Sequence, residues 1–309
     1  MNDAYYTETG ERPSLAALEV NAPEGYIGAK IAPVAPVVDK AGTVYYATVT
    51  ADATAQTGRA AGAAPASTQI SDTSTTYTAA EAVKRGSITP DEVKQMGGIT
   101  KADPIGAKWA KRQVMNAQEA VVAGIVTGGT ADYTWDAAEA MSQIQVAVQA
   151  VRLYSGKLSM IASTAVLKIV VQNLLANSTF GPSFSRLIAG GSPAQAAEGM
   201  NFAAWLNGLA MFFGLDQILA GDDTVWNAGS NAEKFAIAKI DSDMDPLSHK
   251  WNPVFCKTFQ FMPDGENPWV IQSVADRVNV NNHYDAYLWY NVVELNSGAM
   301  KLFDGVSTS

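Results

Sequence analysis

The chain of 309 residues contains one cysteine, two histidines and fewer basic than acidic side chains, 21 against 30. Each scarcity excludes something. A lone Cys256 forms no intrachain disulfide, so stability rests on packing, assembly or both, and a reducing compartment suits the chain. His249 and His283 fall near different predicted segments and lack the His-x-x-x-His spacing of a metal site, so no metal or other cofactor is expected. The formal charge of −9 at pH 7 argues against gripping nucleic acid along a broad basic face, although a local basic patch stays open. Long apolar runs are missing too. Lys168 and Gln172 interrupt Leu158 to Ala176, and Asn207 and Asp216 bracket Gly208 to Leu215. No segment meets the ~18-residue criterion for a membrane span. The opening Met1 to Pro13 has no apolar core and is not expected to be a secretory signal.

Catalytic signatures are equally sparse. Gly190-Gly191-Ser192 and the pair Gly58 and Gly62 match neither a phosphate loop nor a dinucleotide turn, and no Gly-x-Ser-x-Gly elbow occurs. Asp241, Asp243 and Asp245 alternate like the start of a calcium loop, but Pro246 replaces the turn glycine and Asn252 the closing glutamate. A solvated turn is expected there, with an irregular cation site as the alternative. Cys256 lies in the strand-like run Val254 to Phe259 and reads as a core residue.

What the chain does contain is a core: 48% of its residues are hydrophobic and 17% charged, the balance of an ordered protein. At ~150 residues per domain, the length suggests two domains or one elaborated domain. The first 25 residues are polar, punctuated by Pro13, Pro23 and Gly25, and read as an arm rather than a packed element. Pro33 and Pro36 confine Ile31 to Val38 to the edge of a sheet. The β-prone Val44 to Val49 and Tyr77 to Val83 flank a stretch, Thr50 to Thr76, whose only large apolar side chain is Ile70. It is either a disordered surface loop or a projecting hairpin that orders against a partner.

Asp103-Pro104 reads as an N-cap and first turn, and Gly128-Gly129 as a stop, predicting a long helix over 104–127. Further helices are expected from Trp135 to Tyr154, from Ala165 to Ala176 behind a Ser163 cap, and around Phe202 to Phe213. Strands are expected at Leu158 to Ala162, near Leu215 to Leu219, and at 235–240, 254–261, 269–280 and 286–295. The order is α+β. Lys101, Lys108, Lys111 and Arg112 cluster early in the long helix, as a solvated face or as a patch for acidic neighbours or nucleic acid.

The run Ile31-Ala32-Pro33-Val34-Ala35-Pro36-Val37, the polar loop, Tyr77, the helix carrying Gln118-Glu119-Ala120, Trp135, Leu209 to Leu215 and the closing Asp285 to Val293 together resemble the major capsid proteins of tailed bacteriophages, the Hong Kong 97-like fold. The resemblance implies an N-terminal arm over 1–30 and a peripheral domain over 31–154, the latter holding an extended β-hairpin loop at 41–80 and a spine helix at 104–127. It implies an axial domain over 155–268 and peripheral strands with a tail over 269–309. It further implies a non-enzymatic protein that self-assembles through hexamers and pentamers into an icosahedral shell enclosing double-stranded DNA. Such a virion capsid would be built in the host bacterial cytoplasm, with portal, separate scaffold and decoration proteins as partners and no membrane. Gly58, Arg59, Ile70, Tyr77, Lys108, Lys111 and Arg112 are the residues expected at intersubunit contacts. Arg59 is the only basic residue between Lys40 and Lys84, and with no lysine in the loop, crosslinking from it is not expected. The short stretch before Tyr26 leaves no room for a long scaffolding region. A protein-filled, encapsulin-like compartment and an enzyme of unrecognised type are the alternatives.

Overall fold

The structure, a computed structural model, describes residues 5–22, 25–49, 72–177, 181–183, 202–241, 247–263, 265 and 267–307. The chain opens with β1 (Gly10–Glu11), α1 (Pro13–Ala16), α2 (Gly28–Ile31), β2 (Val34–Val37) and β3 (Ala41–Ala47). It continues through β4 (Asp72–Thr78), β5 (Ala80–Ile88), α3 (Pro90–Gln95) and α4 (Ile99–Thr127). Then come β6 (Tyr133–Thr134), α5 (Ala140–Val151), β7 (Lys157–Ser163), α6 (Thr164–Ala176), α7 (Phe202–Phe213), β8 (Gln217–Gly221) and α8 (Asp223–Trp226). Five strands close it: β9 (Phe235–Ile240), β10 (Cys256–Phe261), β11 (Val270–Asp276), β12 (Asn281–Glu294) and β13 (Met300–Asp304).

Among the described residues these strands form two sheets and a separate hairpin. The first sheet runs β1-β11-β12-β10-β2, with β5 also paired to β12. The 14-residue β12 is its organiser, carrying antiparallel ladders to β11, β5 and β10. Proline-bearing β2 pairs in parallel with β10 and lies at the edge, the position that Pro36 within it and Pro33 just before it favour. The second sheet runs β6-β13-β9-β7-β8. β3 and β4 pair only with each other.

These sheets divide the chain differently from the expected boundaries. β10, inside the segment 155–268, belongs to the first sheet, whereas β6 and β13 join the second. Strand pairing links residues far apart in the chain, so a boundary drawn in sequence order cannot follow it.

Helix α4 spans both sheets. Its first half packs Ala102, Ala107, Ala110 and Val114 on Tyr284, Ala286 and Leu288 of β12, while Val122, Ala123 and Val126 pack with Ile161, Trp226 and Ala236 beside the second sheet. Small side chains let the helix approach closely. A Cβ at Gly106 would stand 2.3 Å from the Tyr284 ring, and one at Gly86 of β5 would stand 2.7 Å from the Gly106 carbonyl. The remaining face of the second sheet buries Phe235, Phe303 and Met160 against α5, α6 and α7.

Local chemistry sets several boundaries. Ser163 caps α6 by accepting from the Val166 amide, as expected, and Thr89 with Glu92 forms a reciprocal capping box at α3. The long helix starts at Ile99, five residues before the expected Pro104, because Gly97 and Gly98 turn the chain at φ +85° and +119° and Gly98 becomes the N-cap. Asp103 is therefore no cap. It is buried, accepts from the Tyr284 hydroxyl at 2.6 Å and faces the Arg12 guanidinium at 3.3 Å. The next helix begins at Ala140 rather than Trp135, whose indole is fixed edge-on against Phe235 and Phe303 while its amide bonds Asp304.

The amino-terminal stretch, expected as an unpacked arm, lies on its own sheet over residues 5–18. β1 pairs with β11, Leu15 and Ala16 are buried, and the Thr7 amide and Tyr5 carbonyl bond the Asn282 carboxamide at 2.8 and 2.9 Å. Its few apolar side chains suffice because sheet and helix supply the surface. Gly106→Ala tests the helix-to-sheet contact. The substitution favours an isolated helix by about 1 kcal/mol, yet forces a methyl into the Tyr284 ring and should cost about 1–3 kcal/mol net. A urea midpoint at or above wild type would refute the close packing.

Candidate functional site

The described residues offer no convergent catalytic cluster, and no group of three metal-ligating side chains occurs among them. What they offer is a set of joints and exposed elements. The central joint is Glu119. One carboxylate oxygen accepts from the Ile27 amide at 2.9 Å and the Trp226 indole at 2.7 Å, and the other accepts from the Gly28 amide at 2.7 Å. The side chain is buried, so three donors replace its water. Gly28 is obligatory, because a Cβ there would sit 2.5 Å from the carboxylate. The nearby Tyr26 hydroxyl is pushed above its ordinary range by burial first, then by Glu119 and Asp222.

The hairpin of β3 and β4 leaves the body between the β2 edge and β5. Its register runs from Ala41 opposite Thr78 to Ala47 opposite Asp72. Val44 and Tyr77 are buried with Val254, Phe259 and Leu295, and the Asn296 carboxamide donates to the Ala47 carbonyl at 3.2 Å. Tyr45 is exposed. The base of the hairpin is thus anchored while both outer strand edges lack a partner strand among the described residues. Tyr77, expected to touch another subunit, instead stacks on Phe259 at 5.1 Å and donates to the Asp39 carbonyl. Its ring fills the space that Gly42 leaves open. Gly58, Arg59 and Ile70 lie outside the described residues.

Lys111, also expected at an intersubunit contact, is engaged within its own chain. Its ammonium is buried and donates to the carbonyls of Ala16 at 2.6 Å and Leu18 at 2.8 Å, with Trp269 5.3 Å away. It fastens the amino-terminal stretch to α4 instead of facing outward. Burial, and secondarily the charge of Lys108, push it down to about 8. Lys108 and Arg112 remain exposed on α4, together with Lys101.

Other ionisable groups hold the fold. Lys257 and Asp241 form a buried ion pair at 2.6 Å, Arg85 and Asp285 a two-pronged one at 2.6 and 2.7 Å. Ser87 bonds the His283 ring at 2.8 Å, and Asp276 lies 3.5 Å from it. Asp276 is lowered to about 2, first by the Asn279 amide and carboxamide. Cys256 is buried, as expected, and burial pushes its thiol far up, away from nucleophilic use.

Glu119 and Trp226 were not assigned a role from sequence, yet a signal existed. Glu119 shares the buried helical face of Val122, Ala123 and Val126, an acid within an apolar stripe. Likewise Lys111 sits in register with Ala107 and Val114.

No protein-family model and no curated protein sequence matches the chain. Solved structures do. A phage-related protein from Bordetella bronchiseptica aligns over 98% of this chain and 100% of its own, with a TM-score of 0.66 at 14% identity. The virus-like particle from Pyrococcus furiosus aligns over 89% and 90%, TM-score 0.51, identity 10%. The capsid of a native GTA particle aligns over 94% and 93%, TM-score 0.51, identity 12%.

Two outcomes follow from the joints. Glu119→Ala leaves three donors without an acceptor and should cost about 3–5 kcal/mol, with Glu119→Gln less damaging because one oxygen remains; equilibrium denaturation measures both. For Lys111, a folded-state pKa near 8 lies below the ordinary 10.5. Between those values the unfolded chain binds more protons, so this residue's contribution to stability rises with pH. The stability gap between wild type and Lys111→Met should therefore widen across that window, and a constant gap would contradict the assignment.

Proposed function

We propose that this chain, whose fold is that of Hong Kong 97-like capsid proteins, is a structural shell subunit, copies of which close into an icosahedral container around double-stranded DNA. The observation that carries the reading is the match of the fold to a phage-related chain over 98% of this chain and 100% of that one. Beside it stands a hairpin anchored at its base with unpaired outer edges. The first sheet with α4 serves as the peripheral domain and the second sheet with α5 to α7 as the axial domain, around which hexamers and pentamers gather. The role is structural rather than catalytic.

Assembly follows from geometry. Each subunit makes several modest contacts, and a closed lattice satisfies them together, which yields avidity without any one strong bond. A strand edge gains its hydrogen bonds only when another chain lies along it, which links ordering of the hairpin to assembly. Gly58, Arg59 and Ile70, which lie outside the described residues, are the contacts to a neighbouring subunit that this reading expects. Scaffold, portal and decoration proteins are the further partners, and the virion, assembled in the bacterial cytoplasm, is the location.

Sedimentation with negative-stain imaging tests the reading. The purified chain, alone or with a co-expressed scaffold, should form particles of megadalton mass against 32.7 kDa for the subunit. Their contents should be sensitive to nuclease after opening; protein contents would point to a cargo compartment instead. Deleting 55–69 should leave a soluble folded subunit that forms no regular shell. Normal shells from that deletion would defeat the role given to the hairpin.

A further inference from the structure

We propose that the exposed face of α4 is a nucleic-acid contact, on which Lys101, Lys108 and Arg112 bind the phosphate backbone of the enclosed DNA. The proposal rests on the container reading and adds to it which surface of the subunit faces the contents.

Three observations converge. The first is position. Lys101, Lys108 and Arg112 are all exposed. At about 100° per residue they fall within an arc of roughly 40° on the helix. At ~1.5 Å rise they are separated by about 10 Å and about 6 Å along the axis, a straight cationic line of ~16 Å. A nucleic-acid strand presents a charge about every 3.4 Å of its axis, more closely than the cations are spaced, so one strand can meet all three side chains without bending the helix.

The second observation is the absence of competition. The acids of α4 are Asp103 and Glu119. Both are buried, the first on Tyr284 and Arg12, the second at the joint to Ile27, Gly28 and Trp226. Lys111, the remaining cation, is turned inward to the carbonyls of Ala16 and Leu18. Among the described residues, none of the three outward side chains forms an ion pair or hydrogen bond, whereas Arg12, Arg85, Lys257 and Lys301 each face a carboxylate. A chain with a formal charge of −9 thus presents three uncompensated positive charges on one line.

The third is the neighbouring surface. Ile105 and Trp109, 48% and 49% exposed, flank the line on one side rather than interrupting it. They form an apolar shoulder along which the alkyl stems of Lys108 and Arg112 can lie while their charged ends reach outward. Nothing in this arrangement reads base edges, so the contact is indifferent to sequence. Three phosphate contacts per subunit are weak alone, and their repetition over a closed inner surface is what holds the contents.

The test uses full-length protein and a fluorescent mixed-sequence DNA duplex of about 30 base pairs, read by anisotropy. Three displaced counterions give a slope of about −2.7 in log affinity against log salt, a loss of about 40-fold between ~50 and ~200 mM salt. The triple variant Lys101→Gln, Lys108→Gln, Arg112→Gln should lose at least about tenfold in affinity at the lower salt and most of the salt slope. A control triple, Lys30→Gln, Lys84→Gln, Lys157→Gln, removes the same charge from exposed positions elsewhere and should bind within about twofold of wild type. Thermal melts establish that both variants are folded. The proposal is overturned if wild type does not bind at the lower salt, if the α4 variant binds like wild type, or if the control loses as much. It is also overturned if polyglutamate competes for the α4 face as well as DNA does, since the partner would then be an acidic protein surface. Sedimentation of the same samples keeps the two readings apart. Binding is read on the unassembled fraction, since a closed shell bars the duplex from its inner surface. Stripe-dependent binding there, with particles formed under assembly conditions, supports both, while stripe-dependent binding without particles under any condition refutes the container and leaves the nucleic-acid face standing.

Discussion

A single buried carboxylate holds the architecture together. Glu119 has exchanged its hydration for the amides of Ile27 and Gly28 and the indole of Trp226. Those donors come from α2, which leads into the edge strand β2 of the first sheet, and from α8, which follows the edge strand β8 of the second. Through one side chain the spanning helix therefore fixes an edge of each sheet. Removing the acceptor while leaving its donors buried is far costlier than never having placed the group there, so the joint commits Gly28 and Trp226 along with itself.

The rest of the packing follows from bringing one long helix down onto two sheets. Alanine and glycine along its inner face shorten the distance to β12 and β5, and the Tyr284 ring occupies the notch at Gly106. The hydroxyl of that tyrosine then reaches Asp103, which in turn meets Arg12 from the amino-terminal stretch. Lys111 repeats the pattern one face round, tying Ala16 and Leu18 to the same helix. Elements from both ends of the chain are thus gathered on α4, and the outward face it retains carries Lys101, Lys108 and Arg112 beside the apolar Ile105 and Trp109.

Much of this order is legible in sequence wherever the signal is local. The strand at 235–240, the Ser163 cap, the helix ending at Ala176 and the edge position of the proline-bearing β2 all follow from patterning, caps and backbone restriction within a few residues. What was misread depended on partners far along the chain. Asp103-Pro104 carries a strong local signature of a helix start, but a tyrosine 181 positions later claims the carboxylate, and two glycines start the helix sooner. Lys111 shares its sign with its sequence neighbours, and only its register with Ala107 and Val114 separates it from the exposed Lys108. Nothing near Tyr77 in sequence announces Phe259 as its stacking partner. Gly58, Arg59 and Ile70, the other residues expected on the hairpin, stand outside the described residues.

The β5 to β12 ladder has a mechanical meaning. After β4 only Ala79 intervenes before β5, whose residues pair with β12 from Ala80 opposite Tyr290 to Ile88 opposite Asn282. Tension drawn along β5 from the hairpin loads those antiparallel bonds side by side, in shear, rather than peeling them one after another from an end. The hairpin is attached at the place, and in the direction, where backbone hydrogen bonds resist most.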